Sequence, residues 1–137
     1  MELQVGVKIL LKNPEGKYLL LRRSKEKYPE VKDEWDIVGG RINPGTPLLE
    51  NLKREVKEET SLELLAEPAL VYAQDILRIP GRHVVRLTYV GNVNGTPELD
   101  SDHTEYKWLT IEELKNLPGL DSYFKELLEI GVWTDKS

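Results

Sequence analysis

Cysteine is missing from this 137-residue chain, and histidine occurs only twice. The first absence excludes a disulfide framework, a thiol nucleophile and any zinc site built on sulfur. The two histidines, His83 and His103, lie too far apart in sequence to form a metal-binding pair by local spacing. His103-Thr104-Glu105 has the H-x-E form of the zinc deaminases, but that chemistry needs a downstream pair of cysteines. Long hydrophobic runs are missing as well: stretches such as residues 9–11 and 19–21 fall far short of the ~20 residues that span a bilayer. The start, Met1-Glu2-Leu3, has no basic segment before an apolar one, so the expectation is a cytoplasmic protein with no membrane partner. Positive charge is in deficit, with 19 Lys+Arg against 24 Asp+Glu and a net charge of −5. That balance argues against a nucleic acid polymer as partner. An acidic chain can still bind polyphosphates where a divalent cation bridges the like charges.

What is present suits one compact domain over residues 1–137, since 39% hydrophobic residues provide for a core and the net charge is too small for disorder. Val5, Val7 and Ile9 alternate with Gly6 and Lys8, the turn Asn13-Pro14-Glu15-Gly16 follows, and residues 3–23 read as a hairpin. A polar loop over 24–34 precedes the short apolar piece Trp35-Asp36-Ile37-Val38 and then Gly39-Gly40. Thr46 reads as an N-cap with Pro47 at the first helical position, and the helical pattern runs to about Thr60. Strands are expected over 62–66, 69–77, 83–93 and 106–109. Thr110-Ile111-Glu112-Glu113 has the form of a capping box, and Asp121 is the expected cap of a last helix ending near Gly131. This order predicts a mixed α/β (α+β) sandwich and not a regular βαβ alternation.

On a helical wheel, Leu48, Leu49, Leu52 and Val56 share one face, Glu55 and Glu59 sit at its edge, and Glu58 lies one step further round. Local electrostatics oppose this twice. Glu55 and Glu59 are a like-charge i,i+4 pair, and both lie in the C-terminal half of the helix, where the macrodipole disfavours anions. Arg54 can pair with Glu58, but one arginine cannot neutralise three acids. An exposed charged helix would carry the same residues. The glycines just before it, Gly39, Gly40 and Gly45, add a backbone able to approach phosphate closely, so loop and acids together suit a metal–polyphosphate site. Hard oxygen ligands point to Mg²⁺ or Mn²⁺ in preference to zinc.

Gly40, then five residues, Thr46, then seven residues, then Arg54-Glu55-Val56-Lys57-Glu58-Glu59-Thr60-Ser61-Leu62 resembles the Nudix box, G-x5-E-x7-R-E-U-x-E-E-x-G-U, with no gap. Trp35-Asp36-Ile37-Val38-Gly39-Gly40 is similar to the W-x-x-P-G-G segment that precedes the box. Glu105-Tyr106-Lys107-Trp108 followed by Thr110-Ile111-Glu112-Glu113-Leu114 is similar to the family's closing strand and helix, so the likeness covers nearly the whole chain. The chain thus resembles a single-domain, MutT-like Nudix hydrolase. The fold implied is an α/β/α sandwich with a mixed sheet. Three positions depart from the pattern: Thr46 replaces a glutamate, Ser61 a glycine and Val38 a proline. Thr46 removes a carboxylate that in the family pairs with the box arginine, and Ser61 has to adopt a left-handed conformation.

The resemblance implies hydrolysis of a nucleoside diphosphate linked to another moiety. It makes Glu55, Glu58, Glu59 and the Gly40 carbonyl metal ligands for Mg²⁺ or Mn²⁺, with Glu55 or Glu105 as general base and Arg54 orienting the acids. A surface-strand position would explain Glu105 equally. Arg22 and Arg23 are expected to bind phosphate, at least one of them being merely exposed. Trp35 and Tyr28 are candidates to stack on a base, with sheet-edge packing the rival for Trp35. Asp121 matches a base-contacting position, with helix capping the rival. The short chain favours a small-molecule nucleotide such as a nucleoside triphosphate, an oxidised one like 8-oxo-dGTP included. ADP-ribose, nucleotide sugars and dinucleoside polyphosphates stay open, as do a homodimer, a catalytically idle nucleotide-binding regulator and a plain interaction module.

Overall fold

The computed structural model describes residues 1–132; the last residues of the expected domain, 133–137, lie outside the described residues. Strand β1 (Glu2–Lys12) and strand β2 (Tyr18–Arg23) flank the Asn13 turn, where the Asn13 side chain accepts the Glu15 and Lys17 backbone N–H groups. The two strands then diverge, with Lys12 opposite Tyr18 as their register pair. The segment after the polar loop fills the fork: β3 (Trp35–Asp36) pairs with β2, and β4 (Val38–Arg41) pairs with β1. On its other edge β1 runs parallel to β6 (Arg82–Asn92) along its full length, from Glu2 opposite Arg82 to Lys12 opposite Asn92. Strand β5 (Ala69–Ile76) closes that side, and β7 (His103–Leu109) pairs with β2, giving a mixed seven-stranded sheet.

Alternation along β1 and β2 builds the layers. Val7, Ile9, Leu11, Leu19 and Leu21 pack on one face with Leu52 and Val56 of helix α1 (Leu48–Thr60). Leu10, Tyr18 and Leu20 pack on the other with Leu114 of α2 (Ile111–Lys115) and with Phe124, Leu127 and Leu128 of α3 (Ser122–Ile130). The result is the expected α/β/α sandwich. Among the described residues no helix is long and apolar enough to cross a membrane.

Several local readings hold. Ser61 ends α1 in the left-handed region (φ 63°, ψ 10°), Thr110 and Glu113 form the capping box, and Asp121 caps α3 by accepting the Phe124 N–H. Three change. Pro47 has extended backbone and takes the N-cap position, so Thr46 lies outside α1 and supplies no side-chain cap. Residues 62–66 form no strand: the left-handed turn at Ser61 sends Leu62 and Leu64 into the core as anchors and leaves Leu65 exposed. The last strand starts at His103 and not Tyr106, because it follows β2 to the bulge at Arg22 and Arg23.

Candidate active site

The close approach of β4 to α1 sets the geometry. Gly39 is at φ 139°, and a Cβ there would overlap the Val7 carbonyl. A Cβ on Gly40 would overlap Glu55 Oε2, so only glycine lets this carboxylate lie against the strand. One turn on, Glu59 is 7% exposed and accepts the Gly39 N–H at 3.5 Å. Burial pushes its carboxyl up to about 9; the adjoining Glu55 adds to this, while Lys8 and the Gly39 N–H oppose it. Glu58 points outward. Arg54 donates from Nη1 to Glu55 at 2.9 Å and to Glu58 at 3.4 Å, and from Nη2 to Asn51 Oδ1 at 3.0 Å.

A second carboxylate lies deeper. Lys8 Nζ meets Asp36 Oδ2 at 2.8 Å and Arg23 Nη2 meets the same oxygen at 2.7 Å, while Oδ1 accepts the Ile37 N–H. Burial alone would raise the Asp36 carboxyl, but Lys8, Arg86 and Arg23 together hold it below the usual aspartate value. These groups line a cavity of about 490 Å³ that reaches from Glu55, Glu58 and Glu59 to Ile76, Val84, Arg86 and Tyr123. Arg86 is fixed by Asp121 at 2.9 Å. His103 lines the wall with Nδ1 bonded to Asp100 at 2.7 Å and Nε2 3.8 Å from Glu59.

Among the described residues no three His, Asp or Glu side chains close into a ready metal cage. The donor set nonetheless fits Mg²⁺ or Mn²⁺. Glu55 and Glu59 present facing carboxyl oxygens; Arg54 reaches Glu55 from the outer side, and Glu59 has only the Lys8 charge at a distance and His103 Nε2 at 3.8 Å. Mg²⁺ is usually held by one or two carboxylates together with water and substrate phosphate, so a closed cage is not required.

Of the residues singled out from sequence, Arg23, Tyr28, Gly40, Glu55, Glu58 and Glu59 come together on this cavity. Arg22, Trp35 and Glu105 form a separate cluster. Arg22 bonds Glu34 at 2.7 Å and Glu105 at 2.5 Å, and Trp35 is buried against Leu120 with the Lys107 ammonium 5.0 Å from its ring centroid. Trp35 is therefore a packing residue, and a base cannot stack on it without opening the core. Asp121 acts as a cap and as the partner of Arg86, outside the cavity lining. Sequence reasoning missed Lys8, Asp36, Arg86, His103 and Tyr123. The available signals were Lys8 and Asp36, each a charge inside an otherwise apolar segment.

A family model described as NUDIX domain matches residues 2–129. Among solved structures, a MutT protein from Methanosarcina mazei is 29% identical, with 93% of this chain and 91% of that one covered at a TM-score of 0.81. The Escherichia coli ORF135 protein is 23% identical, with 94% and 88% covered and a TM-score of 0.77. A MutT NUDIX hydrolase from Burkholderia pseudomallei is 24% identical, with 94% and 98% covered and a TM-score of 0.76. These last two likenesses speak to the fold. No curated protein matches the chain.

Proposed function

The chain belongs to the NUDIX domain family of pyrophosphohydrolases, which act on nucleoside diphosphates linked to another moiety, and from that premise we propose that it hydrolyses a nucleoside triphosphate to the monophosphate and pyrophosphate. It works on free nucleotides in the cytoplasm. Glu55 and Glu59, with Glu58 and the Gly40 carbonyl, would hold Mg²⁺ or Mn²⁺. When bound, the metal neutralises phosphate oxygens and acidifies water. The observation that carries the reading is the pairing of buried Glu59 with half-buried Glu55 on the wall of a cavity large enough for a nucleotide.

The chain's own groups divide the remaining work. Arg23 and Lys8 face the cavity beside Asp36 and draw the phosphate chain toward the acids. Ile76, Val84 and Tyr123 give the far end apolar walls for a base, and Arg86 offers donors to its edge. Glu55 is the general base: as the water oxygen bonds to phosphorus and the bridging P–O bond breaks, the proton passes to its carboxylate. The pairing of Glu105 with Arg22, off the cavity lining, supports Glu55 over Glu105 in this role.

The test is a nucleotide panel with Mg²⁺ or Mn²⁺, scored by product identity. It includes oxidised triphosphates, ADP-ribose, nucleotide sugars and dinucleoside polyphosphates. The expected result is turnover of at least one triphosphate with monophosphate as product. Turnover confined to another class would reassign the substrate, and binding without product would make the chain a regulator.

A further inference from the structure

Asn51 is fully buried on the inner side of α1. Asparagine is a weak helix former, and a buried amide is tolerated only when its donors and acceptors are all met. Here they are. Nδ2 donates to the Thr46 and Pro47 carbonyls, both at 2.9 Å, and Oδ1 accepts the Asn43 N–H at 2.9 Å and Arg54 Nη2 at 3.0 Å. The partners also fix which way the amide faces: two carbonyls require the NH₂ group, and an N–H and a guanidinium require the oxygen.

These four bonds do two jobs. One pair of donations and the Asn43 bond pin the turn that leaves β4, which Thr46 N–H closes on the Asn43 carbonyl and which ends at Pro47 with no side-chain cap. The fourth bond holds one arm of the Arg54 guanidinium. Because that group is planar and rigid, fixing Nη2 sets the direction of Nη1, which donates to Glu55 and Glu58. An apolar side chain would suit the neighbouring Leu52 and Val56 without needing any of this.

We propose that Asn51 is a positioning residue of the hydrolase site, aiming Arg54 and, through it, the carboxylates of Glu55 and Glu58, while it locks the loop that follows Gly40. The inference rests on the reading that these acids serve hydrolysis. Two variants separate its arms. Asn51→Leu removes all four bonds. Asn51→Asp keeps both acceptances and loses both donations.

The expected result for Asn51→Leu is a fall in kcat of about 10–100-fold, the usual consequence of losing a group that orients metal ligands, with Mn²⁺ affinity weakened in parallel when free Mn²⁺ is counted by electron paramagnetic resonance. KM for the nucleotide stays within about threefold, since the amide touches no substrate. Adding Arg54→Lys to Asn51→Leu lowers kcat by no more than about twofold further, because both act through one guanidinium. Asn51→Asp keeps kcat and Mn²⁺ affinity within about threefold while its Tm drops. The inference is overturned if Asn51→Leu retains both wild-type quantities, or if Asn51→Asp loses kcat in step with its Tm. Should the leucine variant not fold, the aspartate variant decides. If the wild-type chain turns over no nucleotide, the functional reading fails instead, and the Mn²⁺ affinities alone decide the role of Asn51.

Discussion

Asp36 and Glu59 are both buried carboxylates on the wall of one cavity, and their surroundings push them in opposite directions. Asp36 has more cations than it needs: Lys8 and Arg23 touch it, and Arg86 lies within range. Glu59 has fewer. Its carboxyl neighbour is Glu55, His103 Nε2 stands 3.8 Å away with its other nitrogen bonded to Asp100, and Lys8, already committed to Asp36, reaches it only through space. Charge compensation is thus complete on one side of the cavity and unfinished on the other. A site that must accept a divalent cation has to be unfinished in this way, whereas a site that holds strands together cannot be.

The sharpest way to break this comparison is to neutralise each acid in turn. Glu59→Gln should lower turnover by about 10³-fold, the scale of losing a ligand or a proton-handling carboxylate, without unfolding the protein. Steady-state kinetics and a thermal melt check both halves. A loss below tenfold would mean that Glu59 is not awaiting a cation. Asp36→Ala should act on stability instead. It leaves the buried Lys8 and the half-buried Arg23 without their partner, and removing one member of a buried ion pair such as Lys8–Asp36 costs about 3–5 kcal/mol. Urea unfolding measures it. A cost under about 1 kcal/mol would show that the fork between β1 and β2 does not depend on these charges.

The pH dependence should separate the two acids again, by a smaller margin. Glu59 titrates at about 9 in the folded chain against 4.5 ordinarily, so between those values the native state carries a proton that the unfolded state lacks. Stability of the metal-free protein therefore falls as pH rises through that window. On the proposed reading Mg²⁺ would take the place of the proton, so the alkaline fall should flatten, and calorimetry at pH 7.5 should register release of about one proton per metal. Asp36 behaves in the opposite sense. Its folded value lies below 3.8, so its contribution is present above the unfolded value and is lost as pH falls through the folded one. Mg²⁺ should leave that acid limb unchanged. Melts across pH in chelator and in Mg²⁺ test both, and an alkaline limb that steepens with Mg²⁺ would rule out Glu59 as its ligand.

Only one side of this comparison was legible in the sequence. Glu55, Glu58 and Glu59 lie within two turns of one helix, so a 3.6-residue period brings them together without knowledge of the rest of the chain. The same locality made Ser61, Thr110 and Asp121 readable. The Asp36 network depends on β4 filling the fork between β1 and β2, and the Arg86–Tyr123 end depends on β1 pairing in parallel with β6. No local period encodes either arrangement. Thr46 was misread for a related reason: extended backbone at Pro47 moved the helix start by one residue, and the buried amide of Asn51 holds the loop in place of a cap.

The smallest expected effect concerns the residue whose sequence position was most inviting. Glu105 stands on β7 opposite Arg22, and both side chains are substantially exposed, at 46% and 39%. Exposed pairs of this kind contribute about 0–1 kcal/mol, and Arg22 keeps its second partner, Glu34, at 2.7 Å if Glu105 is neutralised. Neither residue lines the cavity that holds Glu55 and Glu59. Glu105→Gln should therefore change kcat by less than about twofold and leave the pH–rate profile unmoved, where loss of a general base would cost 10²-fold or more. A tenfold fall in kcat with a displaced basic limb would place Glu105 at the reacting water and remove Glu55 from that role. The unfinished charge on α1 would then serve the metal alone.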